Sequence, residues 1–363
     1  MGPNAELPEL TARSKAECNN LAAVDLEMES AIVFDLGGTH LRCASLIQNE
    51  LVNFTRKRIR SFHHGISSAA IWEEIFSTIV DYAMGSSNVV GKVAPLAVSF
   101  PGALHEDGRI VNAPTVAGSD EGLPDVPVEL ARRTGREVYV LNDVSAAALY
   151  LARQCPWDRF MVVTVSSGIG SKICYRNATG LHVLDNGAYS GEIGHLTVDN
   201  SENAPICDCG RKGHLGAIAS GRGIERWARQ QAISDPKGFS QSFCCTRFGA
   251  SSDNITNEQH FVPAVCAGDP WALDILRQAS QPLSQVLATA IFAAGLQGIL
   301  FIGGFALSIG SAYLDLLYGL IQRHCNYSAL TFSRTMLQFG SMSEEACLRG
   351  AAEYVLNSQS RNG

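Results

Sequence analysis

The chain has 363 residues, 46% hydrophobic and 17% charged, which suits a globular protein of about two domains. A net charge of −7 with no basic block argues against a nucleic-acid partner. Residues 1–30 hold no signal-like apolar core, so the eleven cysteines do not read as a disulfide framework. The expectation is a cytoplasmic protein with a loosely ordered N-terminal arm.

Residues 31–36 form an apolar run that delivers Asp35 into the turn Gly37-Gly38-Thr39, and Arg42-Cys43 opens a returning strand. This strand–turn–strand plan differs from both the dinucleotide fold and the Lys-bearing P-loop. Glycine lets backbone N–H groups approach phosphate oxygens closely, and Thr39 adds a hydroxyl. Asp35 would repel phosphate directly, so its expected role is to hold a hydrated Mg²⁺. A tight hairpin without a ligand reads equally well from these residues alone.

Next, residues 98–100 are a strand end opening into Pro101-Gly102, and the following turn carries Asn112, which suits either a polyol or a plain turn. Residues 139–143 end in Asn142-Asp143, where strand gives way to a helix over 146–150. The ordinary reading of Asp143 is a helix N-cap. Beside phosphate-binding turns it becomes a candidate general base for a substrate hydroxyl.

The strand 160–165 then repeats the first plan, running into Ser166-Ser167-Gly168-Ile169-Gly170-Ser171 and a return at 173–175. Two such hairpins would grip one polyphosphate. The recurrence is of pattern rather than residue identity, a weak sign of duplication.

Glu192-Ile193-Gly194-His195 precedes Cys207-Asp208-Cys209-Gly210 and His214. His195, Cys207, Cys209 and His214 supply four N/S ligands, the set that tetrahedral zinc accepts. With no open position such an ion would be structural, pinning the loop that carries Glu192 and His195. Between Arg277 and Asp315 no residue is charged, yet Gly295 and Gly298 interrupt the run. A buried helix at 283–294, a turn and a strand at 299–302 account for it better than a membrane span. That strand ends in Gly303-Gly304, which suits either an adenine rest or a strand-to-helix turn. Cys43, Cys174, Cys266 and Cys347 sit in apolar contexts and read as buried small side chains.

In chain order, Asp35-Leu36-Gly37-Gly38-Thr39, Pro101-Gly102, Asn142-Asp143, Ser167-Gly168-Ile169-Gly170, Gly191-Glu192-Ile193-Gly194-His195, Cys207-x-Cys209-Gly210-x-x-Gly213 and Gly303-Gly304 resemble the ROK family of sugar kinases and sugar-responsive repressors. The resemblance implies an α/β protein of two actin-like, ribonuclease-H-like lobes, with ATP and substrate in the cleft between them. The expected lobes are 31–143 with 346–358, and 144–345; in relatives the last helix packs back on the first lobe.

The resemblance also implies transfer of the γ-phosphate of ATP, with Mg²⁺ and a structural Zn²⁺, to a primary hydroxyl of a hexose. Asp143 would be the base, and Gly102, Asn112, Asn142, Glu192 and His195 would hold the sugar. Asp35, Gly37, Gly38, Thr39, Ser167, Gly168, Gly170, Gly303 and Gly304 would hold the nucleotide. A homodimer or homo-oligomer is the family habit. The family's repressors carry a helix-turn-helix, for which about thirty acidic-leaning residues are too few. A non-catalytic sugar sensor is the competing class, which intact Asp35 and Asp143 argue against.

Two positions depart from the family pattern. His214 stands where the family has a third zinc cysteine, a mild change because imidazole also ligates zinc. Gly216 stands where the family has a glutamate that binds sugar hydroxyls near the anomeric carbon. Losing that acceptor leaves a hydroxyl unpaired and weakens binding. The expected substrate is therefore an amino-hexose or a C7-cyclitol, as in antibiotic pathways, rather than plain glucose.

Overall fold

Apolar β-branched and aromatic residues make β1 (Ser30–Leu36) a strand buried along its whole length, and it lies at the centre of a five-stranded sheet. This computed structural model describes residues 30–60, 65–105, 107–113, 116–118, 122–178, 180–185, 187, 189–325, 327 and 331–362, without the side chains of 359–362. The expected arm before Ser30, and Pro114 in the turn beyond Asn112, lie outside the described residues.

The chain divides into two compact units, Met1–Ala146 with Cys347–Gly363, and Ala147–Ala346. In the first, β1 pairs antiparallel with β2 (His40–Ile47), which pairs antiparallel with β3 (Glu50–Arg58). On its other side β1 pairs parallel with β4 (Leu96–Phe100), and β4 with β5 (Val138–Asn142), giving the order β3-β2-β1-β4-β5. Helices α1 (Ser68–Gly85) and α2 (Val126–Thr134) are started by side-chain caps from Ser67 and Asp125. Ile71, Trp72, Ile75 and Ile79 of α1 join Phe34 and Phe100 in one core. Helix α3 (Asp143–Ala152) leaves β5 directly and crosses the division.

The second unit repeats the plan. β6 (Arg159–Val165), β7 (Ile169–Asn177) and β8 (Gly180–Leu184) form an antiparallel run. β9 (Gly298–Ile302) and β10 (Leu337–Phe339) add in parallel, so the order β8-β7-β6-β9-β10 has the same topology as the first sheet. The recurrence seen as a residue pattern is therefore a recurrence of strand order. Helices α4 (Leu215–Ala219), α5 (Gly221–Ser234), α6 (Pro270–Ala294), α7 (Gly304–Ile309) and α8 (Ser311–Gln322) accompany this sheet. Helix α9 (Ala346–Asn362) ends the chain, and all but its first residue falls in the first unit.

Three expectations need correction. The helix expected at 283–294 starts at Pro270, because Asp269 caps it through Trp271 N and proline suits its first turn. The strand expected to return at 173 already begins at Ile169, so Gly170 and Ser171 belong to β7 and not to the turn. Of the four cysteines expected inside, Cys43 and Cys174 are buried, Cys347 is half-buried and Cys266 is exposed, on a short helix that ends at the surface. Among the described residues no helix is long and apolar enough to cross a membrane.

Candidate active site

Sheet register brings the acidic residue of the first turn to its partners. Asp35 lies opposite Arg42 on β2 and beside Ser99 on β4, so all three share one face. Arg42 Nη1 donates to Asp35 Oδ2 at 2.8 Å and Ser99 Oγ to Oδ1 at 3.0 Å, leaving the carboxylate buried but paired. The turn closes by Gly37 N–H to the His40 carbonyl at 2.8 Å. Gly38 and Thr39 occupy its tip, and Thr39 is exposed with its hydroxyl 2.9 Å from His40 Nδ1.

At the end of β5 the amide and the carboxylate divide their work differently from expectation. Asn142, not Asp143, caps the helix: its Oδ1 accepts from Val144 N at 3.0 Å and Ser145 N at 3.3 Å. Its Nδ2 donates to the Gly102 carbonyl at 2.9 Å, and only 6% of the residue is exposed. The cap works from this position because Asn142 still has strand geometry while its side chain reaches the first helical N–H groups. Asp143 is the first residue of α3 and half-buried, with Oδ1 2.8 Å from Val144 N. Asn112 Oδ1 accepts from Ala103 N at 3.3 Å, and a Cβ on Gly102 would sit 2.6 Å from the Asn112 carbonyl. Gly102, Asn112, Asn142 and Asp143 are thus one packed group in the first unit. Cys347 joins it, with Sγ 3.8 Å from the Asp143 carbonyl; burial pushes its thiol well up, reinforced by Asp35 and Asp143.

In the second unit the turn Ser166–Gly168 closes by Ser166 N–H to the Gly168 carbonyl at 3.0 Å. Nothing lies within 4 Å of where a Gly168 Cβ would stand, so the backbone there is bare. Beside the turn is a cavity of about 660 Å³ lined by Ser166, Ser167, Gly221, Asn257, Gly304 and Phe305, among others. Gly303 has φ +98°, a region closed to side chains here, and it turns β9 into α7. Gly303 thus makes the strand-to-helix turn, and Gly304 lines the cavity.

Several residues of this cavity went unread in the sequence. Arg222 Nε donates to the Ser167 carbonyl at 3.1 Å, and Gly221 N–H to the Ser166 carbonyl at 2.8 Å, so α5 starts against the turn. Ser220-Gly221-Arg222-Gly223, a further hydroxyl-and-glycine run, was the signal available. Asn257 donates through Nδ2 to the Gly221 carbonyl at 2.8 Å, while its Oδ1 is buried with no hydrogen-bond partner. No local pattern marks Asn257.

The ligand atoms of His195, Cys207, Cys209 and His214 all lie within 4.8 Å of one another. Nδ1 of His195 is 3.4 Å from Nδ1 of His214, Cys207 Sγ is 3.9 Å from His195 Nδ1, and Cys209 Sγ is 3.3 Å from His214 Nδ1. Zinc bonds of about 2.0–2.1 Å to nitrogen and 2.3 Å to sulfur give tetrahedral edges of roughly 3.4–3.8 Å, so the donor set fits that ion. Burial, with His195 and Arg211 adding, holds the His214 imidazole below its ordinary value and so neutral, as a ligand must be. His195 turns Nε2 the other way, 3.9 Å from Glu192 Oε2. Burial pushes the Glu192 carboxyl up, and His195 and Lys172 offset it.

A model of the ROK family matches residues 31–358. The chain is similar to a C(7)-cyclitol 7-kinase of Streptomyces hygroscopicus subsp. jinggangensis, with 35% identity over 92% of this chain and 95% of that one. It is 32% identical to a 2-epi-5-epi-valiolone 7-kinase of an Actinoplanes species, over 71% of this chain and 72% of the other. Its fold is that of a ROK hexokinase from Thermus thermophilus, at TM-score 0.68 and 24% identity, over 92% of this chain and all of the other. The chain belongs to the ROK family, with the actin-like sugar-kinase fold, and is a kinase of that family.

Proposed function

We propose that the protein transfers the γ-phosphate of ATP to the primary hydroxyl of a hexose-like acceptor, and that a C7-cyclitol, phosphorylated at its 7-hydroxyl, is preferred over glucose. The observation that carries the acceptor preference is Gly216. It is the second residue of α4 and faces the Gly194 carbonyl, where even a Cβ would come within 3.1 Å. The acidic acceptor for hydroxyls around an anomeric carbon is missing, and the Glu192–His195 loop is packed against its place. A pseudo-sugar without an anomeric hydroxyl leaves nothing unpaired there. The identity with named cyclitol 7-kinases supports the same reading; an amino-hexose is the second acceptor class.

Asp143 takes the proton of the attacking hydroxyl as that oxygen approaches the γ-phosphorus in line. Asn142 fixes Asp143 and the Gly102–Asn112 turn through its amide, and its Nδ2 carries a second hydrogen that can meet the acceptor. Asn112, Glu192 and His195 orient the acceptor ring. The backbone at Gly37, Gly38, Thr39, Ser167, Gly168 and Gly304 cradles phosphate, with Gly170 placing the second turn from within β7. The N-terminus of α5 and Arg222 add positive potential at the second turn. Asn257 Oδ1 is the acceptor that a nucleoside donor would satisfy. Mg²⁺, when bound, would neutralise charge on the phosphate oxygens; Asp35 would hold it through water, since both its carboxylate oxygens already accept hydrogen bonds. Zn²⁺ on His195, Cys207, Cys209 and His214 would keep the acceptor loop in place.

The test is ADP formation with Mg²⁺ and a panel of glucose, amino-hexoses and C7-cyclitols, the product located by phosphorus NMR. Turnover is expected to be fastest with a C7-cyclitol; glucose as the best acceptor defeats the preference, and no ADP with any acceptor defeats the whole reading.

A further inference from the structure

Lys172 occupies a position where lysine is rarely found. It lies on β7 opposite Val162, three residues into the strand that leaves the second phosphate turn, and its side chain is 4% exposed. Removing an ammonium from water is costly unless it is paired. Here it pairs with Asp185, at the end of β8, and donates to the Ser190 carbonyl at 2.8 Å. The next residue back on the strand, Ser171, donates its N–H to the Gly191 carbonyl at 2.9 Å and its hydroxyl to the same oxygen at 3.2 Å. The segment that ends in Glu192 is thus fastened at Asp185, Ser190 and Gly191 to two consecutive residues of one strand. That strand begins at the turn assigned to phosphate. Among the described residues, Asp185 pairs with the lysine, and Glu192 and Cys174 are titratable groups that feel its charge.

From this geometry we infer that Lys172 is a positioning residue for the acceptor: through Asp185 and the Ser190 carbonyl it sets Glu192 at a fixed place relative to the second phosphate turn. The inference rests on the assignment of Glu192 to the acceptor under the proposed function. Lys172 itself touches neither acceptor nor nucleotide. Its loss loosens where the acceptor ring sits while leaving the phosphate turn's own hydrogen bonds intact. Lys172→Met is the cleaner variant, because it removes the buried cation and leaves behind a partly exposed Asp185, which can return to water, and the Ser190 carbonyl without its lysine donor. Lys172→Arg keeps the charge but presents it as a planar fork.

Initial rates for wild type, K172M and K172R, varied separately in acceptor and in MgATP, test the inference, with zinc content and melting measured on the same preparations. K172M is expected to raise the acceptor KM about tenfold or more, with the ATP KM within about twofold and zinc content unchanged; K172R is expected to recover most of the loss. An acceptor KM within about twofold of wild type overturns it, as does an equal rise in both KM values. Should K172M not fold, K172R must still shift the acceptor KM alone by about threefold; an unshifted K172R overturns the inference. Wild-type protein that phosphorylates no acceptor overturns the proposed function instead, a distinct result from active wild type with an indifferent Lys172.

Discussion

Arg222 Nη1 lies 2.8 Å from Asp208 Oδ2, so the residue between Cys207 and Cys209 is paired with the cation beside the turn Ser166–Gly168. Both side chains are more than half exposed, and an isolated pair of this kind contributes little to stability. Its consequence is positional. Whatever holds Cys207 and Cys209 in place also holds Asp208, and through it the guanidinium that donates to Ser167.

With zinc on these four ligands and the nucleotide at this turn, as proposed, removing the metal is felt at the nucleotide. Chelated protein is expected to melt at lower temperature and to show an ATP KM raised about three- to tenfold, and Asp208→Asn should reproduce the KM effect with zinc retained. Chelation that leaves both melting and ATP KM unchanged would mean that the four ligands hold no functional ion.

Asp143 and Asn142 should separate cleanly under mutation. Asp143→Asn is expected to lower kcat by about 10²- to 10⁴-fold with little change in acceptor KM, the size of effect a lost proton acceptor gives. Asn142→Ala should instead lower stability by about 1–3 kcal/mol, since a buried helix cap and its bond to Gly102 go together. Steady-state kinetics and urea unfolding on both variants check this; near-normal turnover in Asp143→Asn would remove it as the base.

Gly216→Glu asks whether the acceptor preference is set at one residue. The new side chain meets the Gly194 carbonyl, so the loop must give by a few tenths of an ångström. The expected result is a fall in the ratio of cyclitol to glucose turnover of about tenfold. A ratio that does not move places the preference elsewhere.

Cys266 is exposed and lines the cavity beside the second turn, whereas Cys43 and Cys174 are buried with thiols pushed up by desolvation. A thiol-specific reagent should label Cys266 well before those two, and ATP should slow that labelling at least about threefold. Peptide mass mapping reads the order; labelling of Cys266 indifferent to ATP would put the nucleotide outside this cavity.

Helices α1 and α2 are joined through Glu73, Arg133 and Glu129. Hydrogen bonds from Arg132 and Arg133 hold the Glu129 carboxyl down from 4.5 to about 2. A lowered carboxyl stabilises the fold above its unfolded value and loses that contribution as pH falls. The melting-temperature gap between wild type and Glu129→Gln should thus be full at pH 7, shrink below about 4.5 and close near 2, as scanning calorimetry across pH would record. A gap that persists at the acid end argues for packing in place of charge.

Much of this protein was determined by short-range pattern. Two glycine turns between apolar strands, the His195–Cys207–Cys209–His214 cluster within twenty residues, and Asn142-Asp143 at a strand end are legible because hairpins, short loops and strand ends are built from neighbours. Tertiary structure decided the rest. Which of Asn142 and Asp143 caps α3 depends on where β5 stops; the partner of Asp35 depends on sheet register; and Arg222, Asn257 and Lys172 acquire meaning from residues brought to them by the chain's path. A charged or polar side chain carries its chemistry in its identity, but its role follows from burial and partners, and those are fixed only when distant segments pack.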